Sequence, residues 1–282
     1  MFYYLRKSYN GLNNISYKSV FLFKKKSYNG LNNISYKNHI YKFGVKMRII
    51  SIVGLKNTGK TSLTSKIIKE LVNRNFKVAS IKHSHHAMEM DHEGTDTYKQ
   101  MESGSDFVVG IGGRTYFNIN ERMDLERILF LIKLINNPDF VVIEGFKSYH
   151  YAKIATCPEV EDEYTIKTVN SFEITDEELL DLVDLIEERA FDIIDTLFVD
   201  DCGYNDANII AQAYANGKLD YDPDTQAEVN LAIDGVNIGL NKFISKFIKT
   251  TVLGMLSPLK IKEYGVENFD NIDITIKSRE DD

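Results

Sequence analysis

A chain of 282 residues, 43% of them hydrophobic, holds enough apolar material for a packed core in one large domain or two modest ones. No apolar run nears the roughly 20 residues of a membrane-spanning helix, no secretory core precedes a cleavage pattern, and Cys157 and Cys202 make no disulfide framework; the expectation is a soluble, cytoplasmic protein with no membrane partner. Nine basic and no acidic residues fall in residues 1–46, so the overall charge of −7 becomes −16 for the rest, and a body that acidic is not expected to bind nucleic acid.

The segment Lys7–Lys18 recurs unchanged as Lys26–Lys37. Architectural repeats need about three copies to bury a core, and this Asn/Tyr/Lys-rich stretch has neither a helical nor an alternating period. Residues 1–46 are expected to be disordered, a duplicated segment upstream of a start at Met47. The alternative for a basic, acid-free stretch is a targeting peptide, against which the Asn-Gly and Asn-Asn pairs weigh.

From Met47 the pattern changes. Arg48–Val53 reads as a buried strand, and Gly54-Leu-Lys-Asn-Thr-Gly-Lys-Thr61 follows it as G-x-x-x-x-G-K-T. Leu63, Ile67, Ile68 and Leu71 then continue with helical spacing. In such a P-loop the glycines let successive N–H groups surround a β-phosphate, Lys60 meets the β/γ oxygens, and the Thr61 hydroxyl is placed to ligate Mg2+. Gly54, Asn57, Thr58, Gly59, Lys60, Thr61 and Ser62 are therefore the expected nucleoside-triphosphate contacts.

Lys77–Lys82 is the next predicted strand, running into a loop with His83, His85, His86, Asp91, His92 and Asp96. Imidazoles and carboxylates at the carboxyl end of a parallel strand face a ligand crevice. The competing reading is a solvated polar loop, because His-x-His-His lacks the i, i+4 geometry of a helical zinc site. Thr95–Gly104 reads as a short helix, Asp106–Ile111 and Thr115–Asn118 as strands about a Gly112-Gly113-Arg114 turn, and Asp124–Ile135 as an amphipathic helix. Asp139–Glu144 is an apolar strand that ends in a carboxylate, the place from which P-loop enzymes put an acid beside Mg2+ and the attacking water. Glu144, with Thr61, is the expected metal-site pair. No N-K-x-D motif follows, so the residues do not choose between guanine and adenine.

Taken in order, Gly54–Thr61, Ala79-Ser-Ile-Lys82-His83-Ser-His85-His86, Asp91, Gly94-Thr-Asp96-Thr97-Tyr98 and Glu144-Gly145-Phe-Lys147 resemble the molybdopterin-guanine dinucleotide biosynthesis protein B (MobB) family over roughly residues 47–155. The resemblance implies an α/β P-loop domain with a mostly parallel sheet that binds GTP with Mg2+. It implies a homodimer that assists the molybdopterin guanylyltransferase and works with molybdoenzyme maturation proteins, and a weak GTPase at most. It also draws Lys82, His83, His86, Asp91 and Asp96 into the site, with Asp91 beside Glu144 as a catalytic acid.

Residues 173–282 are expected to form a smaller α+β domain. Thr175-Asp-Glu-Glu178 is a capping box opening a helix to about Asp195, with Leu179, Leu180, Val183, Ile186 and Ala190 inward. Asp201-Cys202-Gly203-Tyr204 and the helix Asp206–Asn216 look like a worn iron–sulfur module. Val199 and Ala207 stand where thiolates are needed, and Cys202 by itself holds no cluster. A hairpin about Asp234-Gly235, a helix from Asn241 to Leu256 and a last strand, Ile272–Ile276, complete the reading, which favours a docking surface. Two alternatives remain at this stage: a nickel- or cobalt-insertion GTPase using the histidine cluster, disfavoured by the lack of Cys-x-x-Cys, and a nucleotide-sensing adaptor that does not hydrolyse.

Overall fold

The computed structural model describes residues 47–84, 90–197, 206–220, 228–233, 236–267 and 272–276. The expectations for residues 1–46, for His85 and His86, for Val199 and Cys202 with its neighbours, and for the Asp234-Gly235 turn lie outside the described residues.

Strand β1 (Arg48–Val53) leads through the P-loop into helix α1 (Lys60–Asn73), which returns the chain to β2 (Val78–Lys82). Helix α2 (Asp96–Glu102) starts where the Thr95 hydroxyl accepts the Tyr98 N–H at 3.1 Å. Strands β3 (Phe107–Ile111) and β4 (Thr115–Ile119) pair with each other as an antiparallel hairpin outside the main sheet and, among the described residues, with no other strand. Helix α3 (Leu125–Ile135) then precedes β5 (Phe140–Glu144), β6 (Ala152–Ala155) and β7 (Thr165–Thr168).

Five strands make one parallel sheet in the order β2-β5-β1-β6-β7. With β1 central, five of its six residues are buried, as is all of β5; parallel strands covered on both faces read as continuous apolar runs. The mostly parallel α/β architecture expected of the sequence is thus the one observed.

Two strands escaped the sequence reading, β6 and β7. Lys153 interrupts the apolar run of β6, yet its side chain is only 1% exposed, because its ammonium donates to the Lys147 carbonyl at 2.7 Å and pairs with Asp162. Satisfied in this way, a buried cation is tolerated.

Helix α4 (Asp176–Arg189) has the expected capping box: Thr175 Oγ1 accepts the Glu178 N–H at 3.2 Å, and Glu178 Oε2 accepts the Thr175 N–H at 2.9 Å. It stops at Arg189 instead of Asp195. Ala190 turns extended (φ −73°, ψ 142°), and the Phe191 carbonyl accepts the Ile49 N–H at 2.8 Å, so tertiary pairing with β1 ends the helix. Leu182 takes the buried place expected of Leu180, which is 45% exposed. Leu182, Val183, Ile186, Ala190 and Phe191, with Ile210, Ala211 and Tyr214 of α5 (Ala207–Ala215), belong to the same core as Ile50, Ile67 and Val142. That core is continuous across residues 172/173.

Arg74 fastens α1 to α4, with Nη1 on Asp184 (2.5 Å) and Glu187 (2.6 Å) and Nε on Glu70 (2.9 Å). Further along, β8 (Leu231–Ile233) and β9 (Val236–Ile238) form the expected antiparallel pair, and α6 (Lys242–Leu256) starts at Asn241, whose Oδ1 accepts the Ile244 N–H at 2.8 Å. The strand expected at Ile272–Ile276 does not form: alternation alone finds no ladder partner among the described residues, and Ile272, Ile274 and Ile276 are exposed.

Candidate functional site: the P-loop and the carboxyl ends of the sheet

The site grows out of the end of β1. Asn57 (φ 64°) and Gly59 (φ 77°) both take left-handed conformations, so the loop curls back over the start of α1. Such successive turns aim N–H groups inward, as an anion-binding concavity requires. Gly54 is needed for a different reason: a Cβ there would lie 1.9 Å from Thr156 Oγ1 and 2.6 Å from Thr58 Oγ1.

Those two hydroxyls form a relay. They lie 2.6 Å apart and share a hydrogen bond in which either can donate; Thr58 Oγ1 also reaches the Leu55 carbonyl at 2.9 Å, and Thr156 Oγ1 the Val53 carbonyl at 3.2 Å. Lys60 Nζ also reaches the Leu55 carbonyl, at 2.5 Å, so the ammonium lies folded over the loop that a phosphate would fill. Thr61 and Ser62, in the first turn of α1, are exposed.

Glu144 ends β5 alongside this loop. Its carboxylate, 11% exposed, accepts a hydrogen bond from Thr61 Oγ1 at 2.9 Å, and Lys82 Nζ stands 3.5 Å from the same oxygen, Oε1. The register makes this inevitable, since Glu144 pairs with Ile52 of β1 on one side and with Lys82 of β2 on the other. A hydroxyl and a carboxylate converging at hydrogen-bond distance are hard oxygen donors of the type that suits Mg2+. The first turn of α1 and two strand ends are thereby joined, through Thr61, Lys82 and Glu144.

His83 follows directly. Its N–H donates to the Glu144 carbonyl at 2.9 Å. Gly145 (φ 108°) and Phe146 (φ 52°) then reverse the chain, placing the Phe146 ring 4.2 Å from the imidazole. A Cβ on Gly145 would come within 3.1 Å of His83 Cβ, so the glycine permits this stacking.

Asp91 and Asp96 are arranged otherwise. Asp91 Oδ1 accepts from the Thr95 hydroxyl at 2.7 Å and from the His92 N–H at 2.9 Å; the Thr95 bond first, then Thr97 and His92, hold its carboxyl below the usual range. Asp96 is 96% exposed and pairs with Lys99 at 3.5 Å. Among the described residues, neither carboxylate is bonded to the P-loop or to Glu144, and no group of three His, Cys, Asp or Glu is placed to hold a metal ion.

Sequence reasoning missed Thr156, which backs Gly54, and Ser171 and Phe172, which back Gly59: a Cβ on Gly59 would lie 2.8 Å from Ser171 Cβ and 3.3 Å from the Phe172 ring. These are contacts across about 100 residues, and no local spacing announces them.

A central parallel strand running through a glycine loop into a helix, with a carboxylate ending the adjacent strand, defines an α/β P-loop protein of the nucleotide-binding type. The family model described as Molybdopterin guanine dinucleotide synthesis protein B matches residues 49–183. A Methanocaldococcus jannaschii protein named as a candidate molybdopterin-guanine dinucleotide biosynthesis adapter protein is 31% identical over 241 residues, 82% of this chain and 97% of its own length. The Haemophilus influenzae molybdopterin-guanine dinucleotide biosynthesis adapter protein is 32% identical over 145 residues, 48% of this chain and 81% of its own. The chain belongs to this protein B family. Among solved structures, Bacillus subtilis MobB shares 31% identity over 44% of this chain and 76% of that one, with a TM-score of 0.36. No helix among the described residues is long and apolar enough to cross a membrane.

Proposed function

We propose that this chain is a GTP-binding adapter of molybdenum-cofactor maturation, assisting the guanylyltransferase that joins GMP to molybdopterin. The observation that carries the reading is the 2.9 Å hydrogen bond between Thr61 and Glu144 at the mouth of the P-loop. In this reading Gly54, Asn57, Thr58, Gly59 and Ser62 line the phosphates, Lys60 leaves the Leu55 carbonyl for the β/γ oxygens, and Thr61 and Glu144 hold Mg2+. A bound Mg2+ would neutralise charge on the β- and γ-oxygens. Glu144 also orients an attacking water, and Lys82 offsets its charge, so any GTP hydrolysis is slow and depends on this carboxylate.

Lys82, His83, His86, Asp91 and Asp96 are assigned to the γ-phosphate end and to the pterin-bearing partner, with Asp91 as the second acid. Residues 47–172 take the nucleotide, and residues 173–282 dock maturation proteins. The names of the relatives support the pathway. The working form is a cytoplasmic homodimer, a reading supported by the β3–β4 hairpin, where Phe107, Val109, Phe117 and Ile119 leave one apolar face exposed.

Reconstituted guanylylation of molybdopterin with the transferase tests this function. Lys82→Ala, His86→Ala and Asp91→Ala should spare GTP affinity and depress product yield. Wild-type yields from all three, with a loss in Lys60→Ala, would reduce the histidine loop to a solvated connection. A metal-insertion role would instead require stoichiometric nickel or cobalt in the purified protein.

A further inference from the structure

We infer that Phe172 is the platform on which the nucleobase stacks, an inference that rests on the nucleotide-binding reading above. The direction of the nucleotide is set by the strand order. Glu144 and Lys82 stand at the ends of β5 and β2, on one side of β1, and mark the γ-phosphate end. A nucleotide held by its β-phosphate in the loop after β1 therefore sends its nucleoside toward the other side, over the ends of β6 and β7.

The loop after β7 stands there. It is tied to the sheet by the Val169 N–H, which donates to the Ala155 carbonyl at 2.9 Å. Asn170 then folds it: its Oδ1 accepts the Phe172 N–H at 3.2 Å, and its carbonyl accepts the N–H groups of Glu173 (3.2 Å) and Ile174 (3.1 Å). Ser171 is 2% exposed against Gly59, and its hydroxyl has no hydrogen-bond partner among the described residues.

On this fixed loop Phe172 is 71% exposed and stands beside Gly59, where an added Cβ would come within 3.3 Å of its ring. Exposure by itself is common here, since Phe107, Phe117, Phe243 and Phe247 are open as well; what sets Phe172 apart is its place beside Gly59 of the P-loop. An open ring on a rigid turn beside a phosphate loop offers a π-face to a base, and stacking of that kind is tolerant of base identity. It supplies a hold on a purine where no N-K-x-D aspartate is present to read one.

The test compares GTP, ATP and inorganic tripolyphosphate, each with Mg2+, binding by calorimetry to the full chain and to Phe172→Ala and Phe172→Tyr. Phe172→Ala should weaken GTP and ATP alike by about ten-fold or more, the scale of one lost base–aromatic stack. Phe172→Tyr should stay within about two-fold of wild type, because the ring is conserved, and tripolyphosphate should bind all three proteins equally. Unchanged GTP affinity in Phe172→Ala would overturn the inference, as would an equal loss for GTP and tripolyphosphate, which would show that the ring merely shapes the loop. Failure of wild type to bind any of the three ligands would overturn the nucleotide-binding reading and this inference together.

Discussion

Gly54→Ala probes the loop through its closest contact. The new Cβ would stand 1.9 Å from Thr156 Oγ1, 2.6 Å from Thr58 Oγ1 and 3.2 Å from Thr156 Cβ, where unstrained non-bonded contacts need about 3.5 Å. Thr156 is 8% exposed and bonded to Thr58, so it has little room to yield. Overpacking of this kind costs about 1–3 kcal/mol. Thr156→Ala by itself gives up the hydrogen bonds to Thr58 and to the Val53 carbonyl, each worth about 1 kcal/mol. The double variant should then be more stable than the sum of the two losses predicts, by about 1 kcal/mol or more, since deleting the Thr156 hydroxyl removes the clash and frees Thr58 to turn. Urea denaturation without nucleotide measures all four proteins, and thermal melts should move by roughly 2–4 °C per kcal/mol for a domain of this size. A Gly54→Ala protein as stable as wild type, or strictly additive losses, would refute the packing argument.

Arg74→Leu should destabilise the chain by about 2 kcal/mol, less than the 3–5 kcal/mol of a fully buried pair because the guanidinium is 18% exposed; Glu187→Gln in the same chain should restore part of the loss in denaturant melts. Glu126 sits under the Tyr151 hydroxyl, which donates to its two oxygens at 2.8 and 3.0 Å, and burial raises its pKa against that hydrogen bond. The folded state therefore keeps a proton that the unfolded state releases, and stability falls as pH rises from the ordinary carboxylate range through the raised value. Glu126→Gln should remove that part of the slope and leave Asp195, also raised by burial, to supply the remainder; an unchanged slope would show that Glu126 titrates normally. Anaerobically purified protein should lack iron–sulfide charge-transfer absorption, since Cys202 has no companion thiolates at the module's spacing; about four irons per chain would overturn that reading.

What the sequence disclosed follows the range of each signal. The P-loop, α1 and Glu144 were legible because glycine spacing and apolar runs are local, and the capping box at Thr175 names its own helix start. The end of α4 was not, because no glycine or proline stops it; Phe191 does, by pairing with Ile49. Strands β6 and β7 were hidden by their four-residue length and by Lys153, whose burial depends on Asp162 and on the carbonyl of Lys147. At the site, Lys82 and Glu144 meet because β2 and β5 are neighbours, a pairing that no spacing along the chain states. The contacts of Thr156 with Gly54 and of Phe172 with Gly59 are likewise products of the sheet order.

Titration of GTP with Mg2+ into wild type, Lys60→Ala and Glu144→Gln tests the central claim most directly. Wild type should bind saturably. Lys60→Ala should lose about 1.5–3 kcal/mol, roughly a 10- to 150-fold weakening, because it deletes a charged hydrogen-bond donor. Glu144→Gln should bind within a few-fold of wild type, about 1 kcal/mol at most, and lose whatever hydrolysis is present. Absence of saturable binding by wild type, or a Lys60→Ala protein that binds GTP as wild type does, would contradict the assignment of this loop as the nucleotide site.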